Sequence, residues 1–241
     1  MDPRRTTVRE PRENLGLSKL DALASVEEPT INHYIAAVSQ YVLSAPGLTS
    51  QVKKAAQIRL SAVLGRVLAG ALAAAAHRAI RNVYVGERSV AGALRVMQAD
   101  VSEMHPLDGL RLAVDLKPIN LAVGRAIWNR FGDIRTFAVN LHLKFPFAVI
   151  CGLLTIPTVE IDGAQKKDTT HLVRRAVNRL VRAGGRRNEG EAAHLLEAVG
   201  VVVYDPDAES IEKDLPGSGS GLRWEQFIET LSSAYDSRFE D

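Results

Sequence analysis

The sequence predicts an α/β domain with a central mixed β-sheet flanked by helices, preceded by an N-terminal helical region. Three observations carry that expectation. From residue 93 onward, stretches with apolar residues at helical spacing alternate with short apolar runs of strand length, the order of a sheet with crossover helices. Residues 147–156, bounded by Pro146 and Pro157, are apolar almost throughout and read as a strand buried on both faces. Asp108-Gly109 separates two further strand-like segments and is the strongest hairpin signal in the chain.

The elements follow in order. The 241 residues are 46% hydrophobic and 24% charged, which suits one folded core rather than a disordered or fibrous chain. Residues 1–30 begin with Arg4, Arg5, Arg9 and Arg12, lack the apolar segment of a secretory signal, and read as a flexible basic arm. In residues 31–45, Ile31, Tyr34, Ile35, Val38, Tyr41 and Val42 recur at helical spacing until Pro46-Gly47 stops them. Residues 49–82 are rich in Ala, Leu and Arg and predict one long helix, or two joined near Gly65 or Gly70. Small residues there suit a core contact or a dimer contact equally, so 31–82 forms a helical region with dimerisation as one possible role.

A core over 83–215 comes next. Residues 86–92 interrupt the helical pattern, 93–101 and 110–117 read as paired strands, and 119–143 return to helical spacing. Residues 169–183 form an Arg-rich amphipathic helix closed by Gly184-Gly185, and 189–198 a second helix leading to a short strand at 201–204. Residues 216–221 read as a Gly/Ser linker before a final helix at 224–239.

Composition also excludes function classes. The single cysteine, Cys151, rules out an internal disulfide and a multi-cysteine zinc site, and points to a reducing cytoplasm. The apolar stretch 67–76 is too short for a membrane span. The six histidines show no paired ligand spacing. Ser61, Ser102 and Cys151 lack the signatures of a nucleophile, and no Gly-rich phosphate loop follows a strand, so a nucleotide cofactor is not expected. Residues 1–188 carry 27 Lys and Arg against 15 Asp and Glu, whereas 189–241 carry 3 against 13, so the overall charge of +2 conceals a basic body that attracts polyanions.

If Asp108 and Gly109 are the central residues of a two-residue turn, Asp100 faces Lys117 and Ser102 faces Asp115. Strand alternation then gathers Gln98, Asp100, Ser102, Arg111, Asp115 and Lys117 on one face, leaving Met97, Ala99, Val101, Leu112, Val114 and Leu116 on the other. Two carboxylates held close repel each other unless a cation lies between them, and Mg2+ suits one or two carboxylates, retained waters and a substrate phosphate. Lys117 is placed to orient or help deprotonate an attacking water. The plainer alternative is an exposed hairpin face with a surface ion pair between Asp100 and Lys117.

These residues resemble the PD-(D/E)xK nuclease superfamily, which includes many type II restriction endonucleases. The matching elements are Ala99-Asp100, fourteen intervening residues, and Asp115-Leu116-Lys117 at the end of an apolar strand. Ala99 stands where the motif has proline, and Asp108, in Pro106-Leu107-Asp108, is the alternative first acid. The resemblance spans residues 80–205 and implies a restriction-endonuclease-like core, Mg2+ held by Asp100 and Asp115, and hydrolysis of double-stranded DNA by a homodimer. Glu87 is then a candidate additional acid, of the kind often supplied by an upstream helix. Repair or recombination nucleases share the pattern, and a non-catalytic DNA-binding protein would share the charge. The candidate phosphate contacts are Arg125, Arg130 and Arg135, with Arg174, Arg175, Arg179 and Arg182 farther on, in a basic run that also contains Lys166, Lys167, Arg186 and Arg187.

Overall fold

A computed structural model describes residues 15–75, 80, 83–163 and 165–239. Helices α1 (Ser18–Leu23), α2 (Ile31–Ser44) and α3 (Ser50–Ala75) precede strands β1 (Tyr84–Ala91), β2 (Val96–His105) and β3 (Gly109–Pro118). Helix α4 (Val123–His142) leads to β4 (Val149–Pro157). The small hairpin β5 (Val159–Asp162) and β6 (Gln165–Asp168) comes before α5 (Thr170–Leu180), β7 (Ala198–Asp205), β8 (Ser210–Ile211) and α6 (Trp224–Phe239). The main sheet has six strands in the order β1-β2-β3-β4-β7-β8. Strands β3, β4 and β7 run parallel and the outer pairs are antiparallel, so the sheet is mixed as expected.

The parallel centre needs crossovers, and α4 and α5 supply them on one face. Alternation sorts the core residues. Val149, Cys151 and Leu153 of β4 point toward α1, α2, α3 and α6, whereas Ile150, Leu154 and Ile156 point toward α4 and α5. Both faces are covered, which is why every residue of β4 is buried and why its sequence is a continuous apolar run.

Several expectations change. Residues 1–14 of the predicted arm lie outside the described residues, but 15–30 are not a flexible extension: Leu17, Leu20 and Leu23 are buried against α2 and α3. Helix α3 is continuous through Gly65 and Gly70. A Cβ on Gly65 would stand 3.0 Å from Val85 Cγ1, so this small residue lets the helix close on β1. By length and composition α3 is long and apolar enough to cross a membrane, unlike the shorter stretch considered above. In the structure its Leu60, Leu64, Leu68 and Leu72 lie within the core, and its Arg59 pairs with Asp21 of α1 at 2.7 Å. Residues 86–92, read as a break, lie mostly in the edge strand β1, whose polar composition concealed it.

The helix expected at 189–198 is absent. Leu196 N donates to Ala183 O at 2.8 Å and Arg186 N to Leu196 O at 3.0 Å, so the backbone bonds go to the end of the α5 segment instead of a helical turn. Glu197, fully buried, accepts from Arg186 Nη1 at 2.9 Å, His142 Nε2 at 3.0 Å and the Ile150 amide at 2.8 Å, and Arg238 Nη2 lies 2.8 Å away. This knot joins α4, β4, β7 and α6. The predicted linker is likewise packed. Arg223 donates to Pro216 O at 2.9 Å, Gln226 to Ser218 O at 2.8 Å, and Val201 N to Leu222 O at 2.8 Å. Helix α6 then buries Phe227, Leu231 and Tyr235 in the main core, so neither the helical region nor the C-terminal helix stands apart from it.

Candidate active site

The hairpin carrying the acids differs from the simple Asp-Gly turn. Residues Pro106, Leu107 and Asp108 form the loop, and His105 pairs with Gly109, whose φ of 73° opens β3. A register irregularity between Glu103 and Met104 follows, after which Ser102 pairs with Ala113 and Val101 with Val114. Continued beyond that last pair, the register brings Asp100 level with Asp115 and not with Lys117. The displacement is two residues, and Asp100, Asp115 and Lys117 still line one cleft. The predicted faces are not all kept: Met97 and Ala99 join the α4 and α5 side of the core, opposite Val101, Leu112, Val114 and Leu116, and Arg111 at the irregularity turns to Phe239 of α6. Beyond Val101 no further pairs form, and the Leu116 N–H is taken instead by the Asp100 carboxylate at 2.7 Å. The acids therefore sit where β2 and β3 part.

Strand β1 adds Glu87. Its register shifts between Val85 and Arg88, and Gly86 adopts φ 126°, which suits glycine and leaves Gly86-Glu87 bulged opposite Asp100. Glu87 thus comes from a bulged strand and not from an upstream helix. It is exposed, yet close enough for its charge to raise the pKa of Asp100.

At both aspartates burial outweighs the positive charge of Lys117. Asp115 is only 3% exposed, and burial raises its pKa to about 6 despite the charge and hydrogen bond of Lys117, while Asp100 and Asp133 push it further up. Burial also raises Asp100, opposed by the Leu116 amide and by Lys117. Lys117 Nζ donates to Asp115 Oδ1. In place of the surface pair of Asp100 with Lys117 that the plainer alternative required, Lys117 makes a half-buried pair with Asp115.

Around these groups lies an open cleft of about 260 Å³, walled by Gln57 and Ser61 of α3, Glu87, Gln98, Asn120 and Arg130. On the other side of Asp115 and Lys117 is a recess of about 250 Å³ that includes Arg95, Gln98, Asp133 and Phe137. Sequence reasoning did not single out Gln57, Arg95, Asn120 or Asp133, and it weighed Ser61 only as a nucleophile and set it aside. The i, i+4 spacing of Gln57 and Ser61 was a usable signal; the others depended on tertiary placement. Among the described residues no group of three or more His, Cys, Asp and Glu is placed to hold a metal ion.

The other expected site residues divide clearly. Asp108 does not line the cleft: at the hairpin loop it accepts from Arg111 Nε at 2.6 Å and lies 3.2 Å from His105 Nδ1. Arg130 reaches the cleft while pairing with Asp133 at 3.0 Å. Arg125 is exposed, and Arg135 is half-buried over Phe131. Arg174, Arg175, Arg179 and Arg182 are all exposed, with Arg175 and Arg179 lying 5.7 and 4.5 Å from the Trp128 ring. None of these four lines the cleft. Arg186 is buried on Glu197, and Lys166 and Lys167 pair with Asp207 and Asp162, which reduces the charge of the predicted basic run. Comparisons with protein families, with curated proteins and with solved structures found no match.

Proposed function

We propose that the chain is a magnesium-dependent endonuclease that hydrolyses phosphodiester bonds of double-stranded DNA. The observation that carries this reading is the meeting of Asp100 and Asp115 at the parting of β2 and β3, with Lys117 bonded to Asp115. A buried and a half-buried carboxylate with raised pKa values favour a cation, and their oxygen donors fit magnesium, which takes one or two carboxylates and keeps several waters. Asp100 and Asp115 would hold it. Bound there, magnesium would polarise the phosphate and make a water more acidic. Lys117 would orient that water and take part in its deprotonation, Arg130 would pair with a neighbouring phosphate, and the exposed arginines of α5 would extend the contact along the duplex.

A type II restriction role and a homodimer follow from the resemblance and from the need to cut two strands; a repair or recombination nuclease is the enzymatic alternative. A non-catalytic DNA-binding protein is favoured by one observation, the lack of a three-acid cluster among the described residues. Incubating plasmid DNA with magnesium or with EDTA separates these readings. Cleavage in magnesium, none in EDTA and none by Asp115→Asn support catalysis, and discrete fragments support restriction. Undiminished cutting in excess EDTA, or binding without cutting in magnesium, would overturn the nuclease proposal.

A further inference from the structure

One side chain of the cleft lies outside the acid and lysine chemistry. Asn120 follows β3 by two residues, is only 4% exposed, and lines the cleft with Asp100, Asp115 and Lys117. Its Oδ1 accepts from the Tyr204 hydroxyl at 3.5 Å. Tyr204 is fully buried, and its hydroxyl meets the oxygen half of the amide. The other half is unspent: Nδ2 makes no hydrogen bond among the described residues, and it is not sealed from solvent. The backbone is held too, since Ile119 N donates to Thr155 O of β4 at 2.8 Å. With Nδ2 open to the cleft, the donor is available to whatever the cleft receives, and a position needing bulk alone would take leucine.

We infer that Asn120 binds the sugar-phosphate backbone of DNA, its Nδ2 donating to a phosphate oxygen beside the one that Lys117 faces. The inference rests on the same cleft receiving DNA and adds a neutral, directional contact to the charged ones. A neutral donor aligns the backbone without drawing charge from Asp115 and Lys117. Tyr204 serves as a positioning residue, holding the amide in the donating sense.

The test measures binding of a short fluorescent duplex in EDTA, with thermal unfolding of each variant recorded alongside. Asn120→Asp keeps the size and the acceptor for Tyr204 but replaces the donor with a carboxylate, whereas Asn120→Ala removes the amide. Affinity should fall about tenfold for Asn120→Ala, the scale of one hydrogen bond to a charged group, and further for Asn120→Asp. The salt dependence of Asn120→Ala should match that of the wild type, because a neutral donor displaces no counterion. A variant that merely loosened the end of β3 that bears Lys117 would change that slope. Folded variants that bind as tightly as the wild type overturn the inference. If neither Asn120 variant folds, Tyr204→Phe decides: weaker binding supports the contact and unchanged binding refutes it. Weakened binding by variants of a protein that cuts no DNA would uphold the contact and sink the nuclease reading. Normal binding and cutting by folded variants would do the reverse.

Discussion

Replacing Asp115 by Asn should stabilise the protein at neutral pH and remove its activity, because the carboxylate is held at a thermodynamic cost. Burial raises Asp115 to about 6, against about 3.9 for a free aspartate. The folded state therefore holds this proton more tightly than the unfolded chain. That contribution to stability is fully present below the unfolded value and is lost as pH rises through the folded one, between about pH 4 and pH 6. Two units at about 1.4 kcal/mol each place the cost near 3 kcal/mol at pH 8, as an upper figure. Asparagine has the same size and still accepts from Lys117, whose partly exposed ammonium can also turn to water. Denaturation followed from pH 4.5 to pH 8 should show the variant gaining on the wild type by about 1–3 kcal/mol at the upper end, and converging with it at the lower. At about 2–4 °C per kcal/mol for a chain of this size, the shift in Tm is readily measured. Magnesium should raise the Tm of the wild type at pH 8 and leave the variant nearly unmoved, because only the wild type keeps the carboxylate pair. A variant less stable than the wild type at pH 8, or a difference constant with pH, would show that Asp115 is held by its surroundings and not strained by them.

Asp100→Ala should abolish cleavage while Asp108→Asn leaves it within about twofold, since Asp108 serves a turn that Asn-Gly also forms; a dead but folded Asp108→Asn would reverse the assignment. Glu197→Ala strands Arg186, His142 and Arg238 and should cost about 3–5 kcal/mol in denaturant unfolding. A loss under 1 kcal/mol, on the order of a surface ion pair, would deny that the knot joins α4 and α6. Changing Arg174, Arg175, Arg179 and Arg182 to Gln should flatten the salt dependence of DNA binding by about 0.9 in log–log slope for each arginine on a phosphate. An unchanged slope would turn attention to Arg125, Arg130 and Arg135.

How much of this was legible in the sequence depended on period. The strand at 147–156 was readable because burial on both faces leaves only apolar residues, and α4 and α5 because their apolar residues recur at helical spacing. Strand β1 was not, because an edge strand with Glu87, Arg88 and Ser89 and a bulge at Gly86 breaks the alternation that marks a strand. The missed turns at 189–197 have another cause. Ala192, Ala193, Leu195 and Leu196 fit a helical pattern, but the burial of Glu197 against Arg186, Arg238 and His142 overrides it, and nothing local in the chain announces that knot. The packed segment at 216–221 shows the converse, since Gly and Ser suit a tight connection as well as a loose one.

The acids were assigned to the correct face with an incorrect register, and the reason bears on how such a site is built. A three-residue loop and a bulge replaced the two-residue turn and moved the pairing by two; β3 still keeps Leu112, Val114 and Leu116 on the face opposite Asp115, while Arg111 at the bulge and Met97 and Ala99 of β2 change sides. The face was therefore determined by hydrophobic alternation, and the depth along it by loop geometry that Asp108-Gly109 alone did not specify. What the shift adds is function-like. With Asp100 level with Asp115, the Asp100 carboxylate takes the Leu116 N–H that continued pairing would have used, so the first acid is fixed by the amide that follows the second. The strands can part at that point because β3 has its other neighbour in β4, to which Asp115, Leu116 and Lys117 remain paired. A cleft thus opens at the C-terminal end of a parallel strand, where open α/β sheets place their ligand sites, while the residues lining it stay anchored on one side to the most buried strand of the fold.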